Sequence, residues 1–136
     1  MRPILIDTNA YTAFKRGEKN IIEIVQQAEN IGMSPIVLGE LLSGFEYGNK
    51  TKKNRDELLA FLQSSRIRLF QISSDTANFY SQIYASLRSK GTPIPSNDMW
   101  IAAQALEFGC VLCSNDKHFK EIEGLIVGFT FAELII

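Results

Sequence analysis

Near the beginning of the chain, residues 3–9 read Pro3, Ile4, Leu5, Ile6, Asp7, Thr8, Asn9. A short run of apolar residues is typical of a strand that is buried on both faces of a parallel sheet. The run stops abruptly at Asp7, so this carboxylate should lie at the carboxyl end of the strand, where open parallel sheets bind their ligands. The segment therefore predicts an α/β protein with an acidic group at its ligand-binding edge.

Asp7 also has a simpler explanation, because Asp is one of the favoured N-cap residues of helices. Taken alone, the residue favours that explanation. Three other acidic residues change the balance, since Glu40, Asp98 and Asp116 each follow a strand-like run or stand near a predicted helix start. One fold could bring all four carboxylates into the same crevice, and this is the central hypothesis that the sequence supports.

Further strands are predicted at residues 33–37, 67–72, 110–113 and 125–131, with helical segments between them. The run at 110–113 is followed at once by Ser114, Asn115 and Asp116, which repeats the pattern of residues 3–9. Two strands that end alike should place Asp7 and Asp116 side by side at the same edge of the sheet.

Glu40 has almost exclusively apolar neighbours between residues 36 and 42. A carboxylate in such surroundings costs free energy unless it meets a donor or a cation, which favours a functional role over a surface position. Asp98 lies in the first turn of a helix predicted over residues 97–107, where the helix dipole would favour a carboxylate without any function. That helix is almost wholly apolar and must be buried on most sides, so its start should direct Asp98 into the crevice.

The chain of 136 residues is long enough to bury a core without disulfides, and we expect a single domain over residues 1–136. No apolar run approaches bilayer-spanning length and the first residues lack a signal-peptide pattern, so we expect a cytoplasmic protein with no membrane partner. Cys110 and Cys113 have an odd separation within a predicted strand and should therefore point to opposite faces as reduced core residues.

The formal net charge of -1 gives no sign of nucleic-acid binding by itself. If four carboxylates hold cations, however, the remaining surface is mildly basic. Lys50, Lys52, Lys53 and Arg55 cluster at a predicted helix start against the preference of the helix dipole, and Lys117 is a fifth candidate for phosphate contact. A solvated charged face is the commoner reason for such a cluster and stays open as an alternative.

Four carboxylates cannot remain ionised close together unless cations lie between them, because like charges raise each other's pKa. Oxygen ligands without Cys or His favour Mg²⁺ or Mn²⁺ over Zn²⁺. His118, the single histidine, is therefore expected at the surface or facing phosphate, and not as a ligand. A hard divalent ion next to phosphate oxygens is the chemistry of phosphodiester hydrolysis by an activated water. Supporting roles in orienting ligands or waters are predicted for Thr8, Asn9, Ser114 and Asn115.

Taken in order, these motifs resemble the PIN-domain family, and most of all the VapC-type ribonuclease toxins of bacterial and archaeal toxin-antitoxin pairs. The resemblance rests on Asp7-Thr8-Asn9, the helical Glu40, residues 97–103 (NDMWIAA), and Ser114-Asn115-Asp116 followed by Phe119. Each motif is weak by itself. The ordered set spans nearly the whole chain and is fairly specific.

The resemblance implies a three-layer α/β/α sandwich around a central, mostly parallel sheet. It implies that Asp7, Glu40, Asp98 and Asp116 are catalytic and bind the metal, with Ser114 at a position where the family has Ser or Thr. It further implies a Mg²⁺- or Mn²⁺-dependent endoribonuclease that forms a homodimer and is inhibited by a small cognate antitoxin covering the active site. The RNA that is cut does not follow from the resemblance, since relatives differ in their targets.

Three other interpretations stay open. The chain could be a PIN-like nuclease that processes RNA or DNA outside a toxin pair, or a non-catalytic metal- or RNA-binding module with a structural acidic cluster. A phosphatase with a nucleophilic Asp after its first strand would also explain Asp7. Such phosphatases commonly carry a second acid two residues later, where this chain has Asn9.

Overall fold

The structure is a computed structural model that describes residues 2–135 and contains a sheet of five strands. The strands are β1 (Ile4–Ile6), β2 (Ile31–Met33), β3 (Ile67–Leu69), β4 (Val111–Cys113) and β5 (Val127–Gly128). Their order across the sheet is β3-β2-β1-β4-β5, and every neighbouring pair is parallel. The sheet is thus wholly parallel, where the sequence predicted a mostly parallel one.

Seven α-helices and one 3₁₀ helix connect and cover these strands within residues 2–135. They are α1 (Thr8–Lys15), α2 (Lys19–Gln27), α3 (Pro35–Tyr47), α4 (Thr51–Leu62), α5 (Ser74–Lys90), α6 (Ser96–Glu107), α7 (Phe131–Leu134) and the 3₁₀ helix Lys117–Glu121. Every residue of β1, β2 and β4 is buried, so helices cover both faces of the sheet. The predicted three-layer α/β/α architecture is confirmed.

The register of the sheet determines where the site lies. β1 is the central strand, and its last residue Ile6 pairs with Cys113, the last residue of β4. The N–H of Asp7 then donates to the carbonyl of Cys113 at 3.3 Å, which extends the pairing by one residue. Asp7 and Ser114 therefore leave the sheet side by side, and Asp116, which the two matching sequence patterns placed beside Asp7, follows two residues later.

The strand predicted at residues 33–37 is wrong in its position. β2 ends at Met33, and α3 begins at Pro35. Proline lacks the N–H that a strand needs and suits the first turn of a helix, whose N–H groups are unpaired in any case. Ser34 caps the helix by accepting the N–H of Ile36 at 3.1 Å, and this capping decides between strand and helix.

The strand predicted at residues 125–131 is also much shorter in the structure, with only Val127 and Gly128 paired. A capping box ends the extended segment, because Thr130 accepts the N–H of Glu133 at 3.3 Å while the Glu133 carboxylate accepts the N–H of Thr130 at 3.1 Å. Phe131 consequently begins α7.

Three smaller predictions have a definite outcome. β3 covers only the first half of the predicted strand 67–72. Cys110 lies outside β4 by one residue, and Cys110 and Cys113 are both buried and free, as expected of reduced core residues. Among residues 2–135, the helices are too short or too polar to cross a membrane.

Candidate active site

Asp7 lies at the carboxyl end of β1 and is almost completely buried, with 4% of its surface exposed. Its Oδ1 accepts the N–H of Ala10 at 2.8 Å, so the residue is also the N-cap of α1. Burial raises the pKa of Asp7 to about 6, with smaller contributions from the negative charges of Asp116 and Asp98. Asp7 therefore caps a helix and also lies near other carboxylates. The sequence had offered these as competing explanations for the residue.

Asp116 is placed in the same way by β4. Its carboxylate caps the 3₁₀ helix by accepting the N–H of His118 at 3.0 Å, while its own N–H donates to the Ser114 hydroxyl at 3.0 Å. The Ser114 hydroxyl in turn lowers the pKa of Asp7. Ser114 thus links the ends of β1 and β4.

Asp98 lies in the first turn of α6, and only 15% of its side chain is exposed. Burial raises the pKa of Asp98, and the negative charges of Asp116 and Glu40 raise it further. The mutual repulsion shows that Asp98 faces the other carboxylates, so its position at a helix start is not explained by the helix dipole alone.

Glu40 projects from the middle of α3, not from the helix start that the sequence predicted, because α3 begins five residues earlier at Pro35. One carboxylate oxygen accepts the Thr8 hydroxyl at 2.5 Å, and the other accepts the Asn97 amide at 3.4 Å. Two helices therefore hold Glu40 through side chains, and Thr8 has the supporting contact predicted for it.

His118 lies at the surface, as the sequence predicted, but it also contacts two of the carboxylates, which the sequence did not predict. Its Nδ1 lies 2.9 Å from Asp98 Oδ2 and 3.2 Å from Asp116 Oδ1, although 48% of the side chain is exposed. The 3₁₀ turn that begins at Asp116 brings a residue two positions later back against the cap. The position of His118 two residues after the capping Asp116 was the sequence feature that could have predicted this contact.

Asn97 is a second residue that the sequence reasoning missed, since its contact with Glu40 depends on how α3 and α6 pack. The remaining supporting residues, Asn9 and Asn115, contact each other, with the Asn9 amide donating to the Asn115 side-chain oxygen at 3.3 Å. That contact ties the first turn of α1 to the loop after β4. It does not reach a carboxylate directly.

The donor set fits a divalent cation. One ligand atom each from Asp98, Asp116 and His118 lies within 4.8 Å of the others, and Asp7 is close enough for its pKa to respond to both Asp residues. Buried carboxylates that repel one another are the arrangement that a hard cation relieves. Asp98, Asp116 and His118 have ligand atoms close enough together to share such an ion, and Asp7 and Glu40 lie beside them.

Two of the five basic candidates have the contacts of a solvated face. Lys52 pairs with Asp56 at 2.7 Å, and Arg55 pairs with Glu46 at 3.7 Å, with all four side chains exposed. Exposed pairs of this kind are common on helix surfaces and imply no ligand.

Lys50 and Lys53 differ from these two in lining a hollow, although Lys53 also pairs with Glu57 at 3.9 Å. Together with Lys15 and Arg16 they line a hollow of about 340 Å³ between α1, α3 and α4. Lys117 is exposed and directly follows Asp116 at the start of the 3₁₀ helix.

Comparison with known proteins agrees with this geometry. The profile of the PIN domain family matches residues 4–125. The chain belongs to the PIN domain family. Ribonuclease VapC2 of Rickettsia felis is 32% identical over 128 residues, which cover 90% of this chain and 94% of that relative. The acidic cluster is therefore found in a PIN domain whose relatives include ribonucleases.

Solved structures of similar PIN domain proteins are complexes. A crystal structure of VapBC2 from Rickettsia felis bound to a DNA fragment from their promoter matches with a TM-score of 0.82 and 28% identity, covering 93% of this chain and 97% of that one. DNA-bound VapBC from Salmonella typhimurium matches with a TM-score of 0.80 and 28% identity, covering 94% and 98%.

Proposed function

We propose that this PIN domain protein is a divalent-metal-dependent endoribonuclease and the toxin of a type II toxin-antitoxin pair. The observation that carries the proposal is the convergence of Asp7, Glu40, Asp98 and Asp116 from four separate elements onto one edge of the sheet. The ribonuclease relatives and the VapBC neighbours support the reaction and the pairing.

In this proposal Asp7, Asp98 and Asp116 are the metal ligands, and the ion is Mg²⁺ or Mn²⁺ because the ligands are mostly carboxylate oxygens. A bound ion of this kind would lower the pKa of a water and neutralise charge that develops on the phosphate. Asp7 and Asp116 cannot rotate freely, since each accepts a backbone N–H at 2.8 Å and 3.0 Å respectively. The ligand set is therefore preorganised before the ion arrives.

Glu40 has a different role in the proposed reaction. Its carboxylate is fixed by Thr8 and Asn97 and lies close enough to Asp98 to affect its pKa. Glu40 orients the attacking water and accepts its proton while the water oxygen bonds to phosphorus and the bond to the leaving ribose oxygen breaks. His118, which contacts Asp98 and Asp116, keeps those carboxylates in register.

The RNA backbone approaches along the basic hollow of Lys15, Arg16, Lys50 and Lys53. This hollow is formed partly by α1, and the first residue of that helix, Thr8, donates to Glu40. Lysine and arginine side chains in such a groove neutralise phosphates in a salt-dependent way. Lys117, next to Asp116, can contribute at the other side of the cluster.

The proposal extends to the partners and the setting of the protein. A small antitoxin would cover the acidic cluster, and the toxin would act on RNA in the cytoplasm as a homodimer. Tyr84, 45% exposed on α5, and Tyr80, half-buried and stacked on Trp100 at 4.2 Å between ring centroids, are aromatic surface that a second copy could cover.

The decisive experiment incubates purified protein with total RNA and maps the cut ends. Cleavage should require Mg²⁺ or Mn²⁺, stop with EDTA and return when the ion is added back, and Asp116→Asn should be inactive. RNA that stays intact under all these conditions, while Mn²⁺ still binds, would leave a non-catalytic module as the better explanation.

A second experiment separates a toxin from a processing nuclease. Expression of the protein alone should arrest growth, and coexpression with the small protein encoded by the neighbouring gene should restore it. A catalytically active protein with no effect on growth would place the nuclease outside a toxin pair.

A further inference from the structure

An open hollow of about 520 Å³ lies directly beside Glu40 and is separate from the basic hollow. Its lining consists of Pro35, Ile36, Gly39, Glu40, Ser43 and Asn97. The volume is within the range of small-ligand sites, about 300–1,000 Å³. Because Glu40 and Asn97 belong to the candidate active site, whatever occupies this hollow is adjacent to the reacting phosphate.

The charge of the lining indicates which part of an RNA chain the hollow accepts. Its residues include no Lys or Arg, and Glu40 is acidic, so a phosphate group would be repelled. Pro35 and Ile36 offer apolar surface, while the Ser43 hydroxyl and the Asn97 amide offer hydrogen-bonding groups. A nucleobase has the matching properties, with an apolar face and a polar edge.

Gly39 lines this hollow, and neither its backbone conformation nor a close neighbour requires a glycine there. It lies inside α3, where glycine costs about 1 kcal/mol relative to alanine, and its backbone does not have the positive φ that favours glycine. A Cβ built at Gly39 would meet nothing within 4 Å. Because Gly39 lines the hollow, a larger side chain at this position would occupy part of its space.

We propose that this hollow binds the base of a nucleotide next to the cleaved phosphodiester bond and helps to select the RNA sequence that is cut. The inference rests on the proposed ribonuclease function. Asn97 connects the two events, because its amide both lines the hollow and donates to Glu40 at 3.4 Å. A bound base that contacts Asn97 stabilises the orientation in which Glu40 activates water.

The test compares two substitutions on the same helix. Gly39→Leu fills the hollow, whereas Gly44→Leu is the matched control, since Gly44 also lies in α3, has no atom within 4 Å of a built Cβ and does not line the hollow. Both variants should fold and show the same rise in melting temperature on adding Mn²⁺, because neither substitution reaches a metal ligand.

Gly39→Leu should lower kcat/KM on total RNA by about tenfold or more and change the set of cut sites, as expected when a specificity pocket is filled. Gly44→Leu should retain the wild-type rate and cut sites. Gly39→Ala, which adds one methyl group to the same wall, should show a smaller change in the same direction and provides the test should the leucine variant lose its Mn²⁺ response.

Identical rates and cut sites in the Gly39 and Gly44 variants would overturn the inference while leaving the ribonuclease function intact. The same result accompanied by loss of inhibition by the antitoxin in Gly39→Leu alone would assign the hollow to a protein partner instead, which also overturns it. Wild-type protein that leaves RNA uncut would refute the proposed function, and the inference with it.

Discussion

The carboxylates of the candidate site are positioned in two different ways. Asp7 and Asp116 follow paired strands, and each is fixed by a backbone N–H that it accepts as a helix cap. Glu40 lies in the middle of α3 and is fixed only by the side chains of Thr8 and Asn97. The first arrangement depends on the register of the sheet, and the second depends on how three helices pack.

This difference separates metal binding from the activation of water in the proposed mechanism. The two residues that the sheet positions, Asp7 and Asp116, are proposed ligands, which need constant spacing, and Asp98 of α6 is the third. The residue that side chains position is the one proposed to move a proton. Substitutions can therefore impair metal binding and spare the activation of water, or the reverse, and each case can be tested separately.

The largest effect is expected from the ligands. Asp7→Asn and Asp98→Asn should each remove the charge of a metal ligand. The rate of RNA cleavage should therefore fall by more than the roughly 10–100-fold typical of removing a residue that only hydrogen-bonds to a metal ligand. Rates measured in Mg²⁺ on total RNA check this. Asp75→Asn is the matched control for Asp98, since Asp75 also lies in the first turn of a helix and should be dispensable. Retained cleavage in Asp7→Asn or Asp98→Asn would remove these residues from the metal site.

An intermediate effect is expected from the side chains that hold Glu40. Thr8→Val removes the hydroxyl and should lower kcat by about 10–100-fold, without changing the melting-temperature rise on adding Mn²⁺. Thr12→Val is the control, because its hydroxyl lies on the same helix and donates only to the carbonyl of Thr8. Absence of the Mn²⁺ response in Thr8→Val would show that the two ways of positioning are not separable.

A stabilising effect is expected in the absence of metal. Burial raises the pKa of Asp7 to about 6, so at neutral pH the ionised carboxylate costs more free energy in the folded protein than in the unfolded chain. Asp7→Asn keeps a capping oxygen and should raise the free energy of unfolding by on the order of 2 kcal/mol at pH 7.5 in EDTA. Urea denaturation of both proteins measures the difference. Equal or lower stability of the variant would mean that the ionised Asp7 carboxylate does not destabilise the folded protein in the absence of the metal ion.

The smallest effect is expected on the basic surface, which contains none of the proposed metal ligands. Substituting Lys50 and Lys53 by Ala should weaken RNA binding and reduce the slope of log K against log salt by roughly one for each phosphate that is no longer neutralised. Lys52 and Arg55, which do not line the basic hollow, form the matched control pair and should leave the slope unchanged. Equal slopes for both pairs would return the whole cluster to the solvated-face interpretation.

The sequence predicted the sheet edge well because its signals are local. Residues 3–9 and 110–116 each join an apolar run to a polar turn, and burial on both faces leaves few alternatives for such runs. Asp98 could be placed for a similar reason. The helix that starts at Ser96 and Asn97 is almost wholly apolar and must be buried, so its first turn directs Asp98 into the crevice. The proximity of Asp7, Asp98 and Asp116 followed from these local patterns.

Contacts between distant segments could not be predicted in the same way. The Asn97 contact with Glu40 joins α6 to α3, and the sequence carries no pattern for their relative position. The strand predicted at 33–37 was wrong because capping by Ser34 overrode the apolar run that follows Pro35. The contacts of His118 with Asp98 and Asp116 were not predicted, because they depend on the 3₁₀ turn that brings the ring back against the cap.

The pairing of β1 with β4 has a consequence for how the protein comes into being. These neighbouring strands lie near opposite ends of the described chain, so a growing polypeptide contains no acidic cluster until residues 111–116 have left the ribosome. Shorter chains lack Asp116 and, under the proposed function, should not cleave RNA, whatever helices they have already formed. Activity should begin only after β4 has paired with β1, a contact between segments distant in sequence and therefore slow to form.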